Sequence, residues 1–447
     1  VVAVAPMKVG GAASGCWFRD AWACVRRNWP VLLVDFALGI EFSLTNLLIE
    51  PVLRTWVRCE LEAAGGDAHL FSGSAVCGDR RYVIQQAARL NGWLGALEGS
   101  VSFFSMPLMG AFGDRYGRLP VLWTCIAGHA FWLLATSSSG GSAPVIVCAF
   151  FIRGLTGAFF STLKSILGDA GGDRSLAYTV KNVFAAAGHG LGWLTALRIL
   201  KLEMVDYAGV WRLCIGIFCV GTLVATQIPE SLPSRRKDAA VRLSLALDPV
   251  RFLLREPFMV RWCAAKFFIF LGLSVSFLLR SFVLAAFKWR QGRFEALMGF
   301  AGGLAAVSTI CAPSLIRRFS THTVASRSAL LAASCSSILV FAPLGPAFCL
   351  LPLMAKASGA CGYTAATTLL ADQYVADQGK SQSIVIAVCH AATTMGHLLY
   401  ATLFDAHATS GLVQARPFIV AAPLTWIGYA FMLAALAVRK QSGPKAE

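Results

Sequence analysis

The sequence predicts an all-α membrane protein, with twelve transmembrane helices arranged as two pseudo-symmetric six-helix bundles. Three observations carry that expectation. The 447-residue chain is 57% hydrophobic and only 14% charged, where a soluble domain carries roughly 25% charged residues. Its apolar residues gather in runs of about 20, the length that crosses roughly 30 Å of hydrocarbon as a helix. Its Lys and Arg fall mainly in the short segments between those runs. A soluble fold of this size keeps a polar exterior that such a composition does not supply, whereas a lipid bilayer solvates it. The net charge of +16 therefore reads as membrane topology and not as a nucleic-acid patch. Strand-period alternation is missing from the runs, which argues against a β-barrel.

In chain order, residues 1–28 read as an N-terminal tail. Six runs then fill a first bundle, 29–228, near 30–53, 90–112, 119–139, 143–167, 178–200 and 208–228. A basic, polar break follows, opening on Pro229-Glu230-Ser231-Leu232-Pro233-Ser234-Arg235-Arg236-Lys237, so 229–257 is read as a linker. Within it Leu247–Glu256 fits either an amphipathic surface helix or plain solvated chain. Runs near 259–284, 293–316, 324–343, 345–370, 382–404 and 415–438 fill a second bundle, 258–438, and 439–447 is a C-terminal tail. An even number of spans puts both termini on one side. That side carries about twice the Lys and Arg of the other, which places both ends in the cytosol. Most of the 14 cysteines sit inside apolar runs as small hydrophobes, among them Cys125, Cys148, Cys214, Cys219, Cys311, Cys335 and Cys349. Cys59 and Cys77 share one polar loop on the outer side, where a disulfide and two free thiols are both open readings. No metal or cofactor set is expected.

An internal repeat supports the two bundles. Arg153-Gly-Leu-Thr-Gly-Ala-Phe-Phe-Ser-Thr-Leu-Lys-Ser-Ile-Leu-Gly-Asp169 aligns without a gap on Lys356-Ala-Ser-Gly-Ala-Cys-Gly-Tyr-Thr-Ala-Ala-Thr-Thr-Leu-Leu-Ala-Asp372. A basic residue opens each copy, small residues follow, and Leu-small-Asp closes it. Parallel six-helix repeats are an established transporter architecture.

Between the second and third runs stands Gly110-Ala-Phe-Gly113-Asp114-Arg115-Tyr-Gly117-Arg118-Leu-Pro120. It resembles the signature loop of the major facilitator superfamily, G-x-L-A-D-R-x-G-R-K, with Gly110, Asp114, Arg115, Gly117 and Arg118 matching. Gly110 and Gly113 suit close helix approach, and Gly117 suits a tight turn. Asp114 opposes the dipole of the helix it ends and so needs partners, with Arg115, Arg118 or an incoming helix N-terminus as candidates. Arg153-Gly-Leu-Thr-Gly157 resembles the family's R-x-x-x-G stretch, linked there to proton coupling, and Pro229-Glu230-Ser231 resembles the usual exit of the sixth helix. The second half keeps only Pro313-Ser-Leu-Ile-Arg317-Arg318-Phe319, without the acid. The resemblance implies the major facilitator fold and secondary transport of a small solute by rocking bundles. It also implies a cytosolic latch in the signature loop, coupling to H+, and a monomer. The closest look is to the drug:proton antiporter, tetracycline-efflux and proton-coupled folate transporter-like branches.

Ionisable groups within hydrocarbon cost roughly 2.5–3.5 kcal/mol each on insertion scales and so ask for a reason. At about 1.5 Å per residue, Glu41 and Glu98 fall at one level near the midplane. Arg153, Lys356 and His189 fall within a turn of it, and Arg280 and His397 somewhat nearer the outside. These seven are the candidates for a solute and proton cavity, and static ion pairs that only fix helix packing are the competing reading. Asp35 and Glu50 are expected at the membrane rim. Trp93, Trp123, Trp132, Trp193 and Trp211 are expected in interfacial belts or packing. No nucleophile–base pair or metal-ligand spacing stands at matched depth, so an intramembrane enzyme is not expected. A facilitator-fold sensor or scaffold that does not transport remains the alternative.

Overall fold

The computed structural model describes residues 13–63, 80–139, 142–169, 174–200, 207–231, 251–289, 291–374, 378–405, 408 and 410–442. Every regular element among them is helical. The first half holds α1 (Ala13–Ala63), α2 (Arg80–Tyr116), α3 (Arg118–Ser138), α4 (Ala143–Leu155), α5 (Phe159–Asp169), α6 (Arg174–Leu200) and α7 (Tyr207–Ala225). The second half opens with α8 (Pro257–Leu273), a 3-10 stretch (Ser274–Leu278) and α9 (Leu279–Ala286). It continues with α10 (Gln291–Ile310), α11 (Ala312–Phe319), α12 (Thr321–Leu339), α13 (Ala347–Ser358), α14 (Cys361–Gln373), α15 (Gln378–Leu403) and α16 (Gly411–Ser442).

Taken as rods interrupted by short breaks, the described helices make twelve. Five are long and apolar enough to be spans by those criteria alone, and the bent α10–α11 pair makes a sixth. Others carry charge along their length, as with Asp35 and Glu41 in α1, Glu98 in α2 and Lys181 in α6.

Four runs expected as single helices are interrupted. α4 and α5 part at Thr156–Ala158, and α13 and α14 part at Gly359–Ala360. Each break contains a glycine, the residue that loses most entropy inside a helix. α10 ends before Pro313, which cannot donate to the ladder, and α11 leaves at 45°. In the seventh rod the Ser274 hydroxyl donates back to the Phe270 carbonyl at 2.6 Å where the 3-10 turn begins, a side-chain bond that loosens α-helical pairing. α1 begins at Ala13, inside the segment read as a tail. Its early turns are held because Ala21 and Leu32 pack on Leu176 and Val180 of α6. Residues 251–255 are helical, and the rest of the amphipathic segment lies outside the described residues. So does the Cys59–Cys77 question. Cys148, Cys219 and Cys311 face outward, while Cys125, Cys214, Cys335 and Cys349 are buried.

Each half has its own apolar core. Trp132, Tyr178 and Leu122 are fully buried in the first, and Trp262, Tyr400 and Phe418 in the second. The halves meet mainly where α2 runs along α15 and α6 along α10. The α2–α15 seam is close because Gly92, Gly95 and Gly99 share one face of α2. A Cβ on Gly92 would come to 2.8 Å from the Cβ of Ala401, and one on Gly99 would run into Thr394.

The repeat proves to be structural. One displacement of 203 residues carries Gly117 to Ser320, Arg153 to Lys356 and Asp169 to Asp372. It also carries α3, α4 and α5 onto α12, α13 and α14, with ends agreeing to within a residue or two.

Candidate functional site

The two halves enclose a cavity of about 850 Å³, walled by α1–α6 on one side and by α8–α10, α13 and α15 on the other. All seven residues singled out in the sequence line it: Glu41, Glu98, Arg153, His189, Arg280, Lys356 and His397. His129 and His390 line it as well.

Arg153 sits in the last turn of α4, where a cation complements the helix dipole. Its Nε lies 3.2 Å from Glu98 Oε1 of α2, and its guanidinium lies 4.1 Å from the Trp132 ring centre and 6.0 Å from that of Phe42. Trp132 is thus fully buried beneath a cation, in a packing position and not in an interfacial belt. At the break after α4 the Gly154 carbonyl keeps a turn bond from the Gly157 N–H at 3.3 Å, and the hydroxyls of Ser102 and Ser105 donate to it at 3.1 and 2.9 Å. Helix α2 therefore holds both the charge and the frayed end of α4.

Glu41 is 1% exposed, and its Oε2 meets His129 Nε2 at 3.0 Å. Its Oε1 has no hydrogen-bond partner among the described residues. Nothing in the local sequence marks His129, a single histidine in an apolar run whose partner is 88 residues away. Its depth, matched against that of Glu41, is the one signal that points to it. His189 Nδ1 lies 3.1 Å from the Ser43 hydroxyl, with its ring edge-on to Phe42. His397 packs on Phe277 with ring centres 4.5 Å apart.

Lys356 makes no salt bridge among the described residues. Its neighbour is Cys335, which is the repeat counterpart of Trp132. Asp35 corrects the sequence reading. It is buried rather than facing the interface, at 1% exposed, and both its oxygens accept from Lys181 Nζ at 2.9 Å. Lys181, three residues into its apolar run, stands at matching depth on α6 and draws the carboxylate inward. The side chain of Glu50 lies outside the described residues.

The signature loop forms a compact charge cluster at one end of the molecule. Arg118 is 4% exposed. Its guanidinium pairs with Asp114 at 2.5 Å and with Asp169 at 3.1 Å. The carboxylate of Glu230 caps α3, accepting from the Arg118 and Leu119 backbone N–H groups at 2.9 and 3.2 Å, where the helix dipole favours an anion. The Ser231 hydroxyl donates to Asp169 at 3.0 Å. Gly117, at φ +112°, makes the turn, and a Cβ there would strike Glu230. Asp114 thus finds Arg118, while the helix N-terminus goes to Glu230. Burial raises the Asp114 carboxyl above its usual range, against the pull of Arg118 and of Lys380 across the seam. Arg115 is buried beside the Tyr116 ring. Gly110 and Gly113 lie in the last turns of α2, and Gly113 faces Arg118.

At this same end the halves are tied by Lys164 Nζ on the Tyr363 hydroxyl and by Asn182 Nδ2 on Thr364 Oγ1 at 2.9 Å. At the other end Gln85 Nε2 donates to the Phe404 carbonyl at 3.3 Å.

The family model described as Major Facilitator Superfamily matches residues 83–396. No curated protein matches the sequence. Among solved structures, the human organic anion transporter MFSD10 (TETRAN) superposes with a TM-score of 0.73 at 18% identity, covering 91% of this chain and 99% of that one. A point mutant of the nucleoside transporter NupG gives 0.62 at 11% identity, with 92% and 99% covered. The Escherichia coli fucose:proton symporter FucP, also carrying a single substitution, gives 0.64 at 13% identity, again with 92% and 99% covered.

Proposed function

The chain belongs to the Major Facilitator Superfamily, a family of membrane transporters and not of enzymes, and from that premise we propose that it is a proton-coupled secondary transporter of a small solute. It works as a monomer by alternating access, with both termini in the cytosol. The observation that carries this reading is the cavity itself. It lies between two bundles of repeated architecture and holds two carboxylates, each already matched to a base on another helix.

Such pairs suit proton coupling. A carboxylate facing an arginine stays ionised while the pair is made, and neutralising it frees the arginine. Both pairs lie within the first bundle, so rocking of the bundles changes which side of the membrane has water access to Glu98 and Glu41, and proton uptake and cavity access come to depend on each other. Tyr363 and Thr364 against Lys164 and Asn182 then form the closure on the cytosolic side, next to the signature loop. The three solved relatives named above carry different solutes, so at 11–18% identity they lend the fold and not the cargo.

The test is uptake into proteoliposomes under an imposed pH gradient. Glu98→Gln and Arg153→Ala are expected to uncouple uptake from the gradient, and Glu41→Gln to slow it at least tenfold. Full gradient-driven uptake in all three variants would sink the coupling role of this layer. Uptake that ignores the gradient even in the native protein would leave a uniporter. A chain that folds and binds no solute in a broad screen would return the sensor or scaffold reading.

A further inference from the structure

Toward the cytosolic end a second pocket, of about 230 Å³, adjoins the central cavity, and the two share Phe160, Phe270, His390 and Thr393 as wall. Among the described residues its lining includes Lys164 and Lys266 and no Asp or Glu. Lys164 is 4% exposed and its ammonium donates to the Tyr363 hydroxyl. Lys266 lies over the Trp262 ring, 5.3 Å from its centre, nine residues into α8, about 13 Å from the helix start at 1.5 Å per residue. Neither makes a salt bridge among the described residues. The carboxylate whose field reaches Lys164 is Asp35, and Lys181 already holds both its oxygens.

The central cavity is unbalanced in the same sense. Of its carboxylates, Glu98 is paired with Arg153, and Glu41 meets His129 through Oε2, a contact that is an ion pair when the imidazole is protonated. Lys356 adds a further cation to the same wall. Charges within the hydrocarbon depth are retained when they pair with one another or serve a pathway, and an uncompensated buried ammonium is costly. The ammonium groups of Lys164 and Lys266 in this pocket, and that of Lys356 in the adjoining cavity, have no salt-bridge partner among the described residues and lack a counter-charge. Phe150, Phe159, Phe160, Phe270 and Phe294 supply apolar wall along the same path.

Resting on the carrier reading above, we propose that the solute is an organic anion with an apolar body. Its acidic group is held by Lys356 in the central cavity, and the Lys164–Lys266 pocket is a second anion site on the cytosolic route. The Lys164–Tyr363 bond then opens as the anion takes the place of the phenol. This assigns a solute class and a second station, neither of which follows from proton coupling.

The experiment uses the full chain in proteoliposomes with three probes of one shape: 2-naphthoate, 2-naphthamide and 2-naphthylmethylammonium. Thermal shift reads binding, and uptake reads transport. Naphthoate is expected to bind and enter at least tenfold better than the other two. Lys356→Met and Lys266→Met are each expected to lower naphthoate uptake at least tenfold with an unchanged melting temperature, and Lys266→Arg to keep it within about threefold. Because Lys164→Met removes a contact between the halves, Lys164→Arg is measured with it and is expected to retain binding. Equal or better handling of the amide or the ammonium would overturn the anionic assignment and leave the carrier intact, as would failure of all three while some other uncharged or cationic solute is carried. Unchanged naphthoate uptake in Lys266→Met and Lys164→Met would overturn the second station. Absence of gradient-driven uptake for every solute tried would instead overturn the carrier reading.

Discussion

Residues 118–169 and 321–372 are the same three helices built twice, and their differences mark where the halves have specialised. Both copies enter from a residue at positive φ, Gly117 at +112° and Ser320 at +71°. Both break three residues beyond a basic side chain, after Arg153 and after Lys356. Beyond the break both bury the segment almost completely, as α5 and as α14. Around that shared frame the charges diverge. The first copy surrounds Arg153 with Glu98 and Trp132, and the positions 203 residues on hold Ala301 and Cys335. The first copy ties Arg118 to Asp114 and Asp169, and the second offers Thr321 and Arg317 at the places of Arg118 and Asp114. The first copy thus pairs Arg153 and Arg118 with carboxylates of its own half, and the second leaves Lys356 without a carboxylate partner among the described residues.

The sharpest way to break this contrast is at Arg118. Arg118→Met strands Asp114 and Asp169, and removing one partner from a buried pair costs about 3–5 kcal/mol. A large fall in melting temperature in detergent is expected, whereas Thr321→Met at the repeat position stays within about 0.5 kcal/mol. Next is Glu98→Ala, which leaves Arg153 facing the cavity alone. With both side chains nearly a fifth exposed, the cost is expected to be smaller, about 1–3 kcal/mol, along with loss of gradient-driven uptake. The converse variant, Ala301→Glu, gives the second half the carboxylate it lacks. It is expected to abolish the naphthoate-induced thermal shift, and, because Ala301 is buried, to lower stability by about 1–3 kcal/mol through overpacking.

The turns provide the smaller effects. Gly117→Ala places a Cβ against Glu230 at an unfavourable φ and is expected to cost about 1–3 kcal/mol, read as a lower denaturation midpoint. Ser320→Gly relieves a left-handed serine but removes a weak cap, the hydroxyl accepting from the Thr323 N–H at 3.4 Å. The two terms offset, and the melting temperature should move by less than the Gly117 variant moves it.

The repeat also shows how far the sequence can be read. The rods, the motif and the pairing of Arg153 with Lys356 were legible because hydropathy and spacing are local quantities. Depth counting along single helices put Glu41 and Glu98 at one level and Arg153 within a turn of it, since rise per residue is nearly fixed. His129 and Lys181 were not legible, because each matters through a partner on another helix and a lone polar residue in an apolar run carries no address. The burial of Asp35 was not legible for the same reason, since nothing near it in the chain announces Lys181. The breaks at Thr156–Ala158 and Gly359–Ala360 had a signal in their glycines, but glycine serves close packing equally well, as Gly99 shows against Thr394.

The seat of Glu230 and Ser231 has a mechanical consequence. The chain leaves the first half there and enters the second at Pro257. Glu230 is moored to the first amides of α3, and Ser231 to the carboxylate that also holds Arg118. A pull on the chain beyond Ser231 would therefore load the Asp114–Arg118–Asp169 knot before it reached the end of α7. The junction is a mooring point: the exit of the first half is fastened to the same charges that hold the ends of α2, α3 and α5 together.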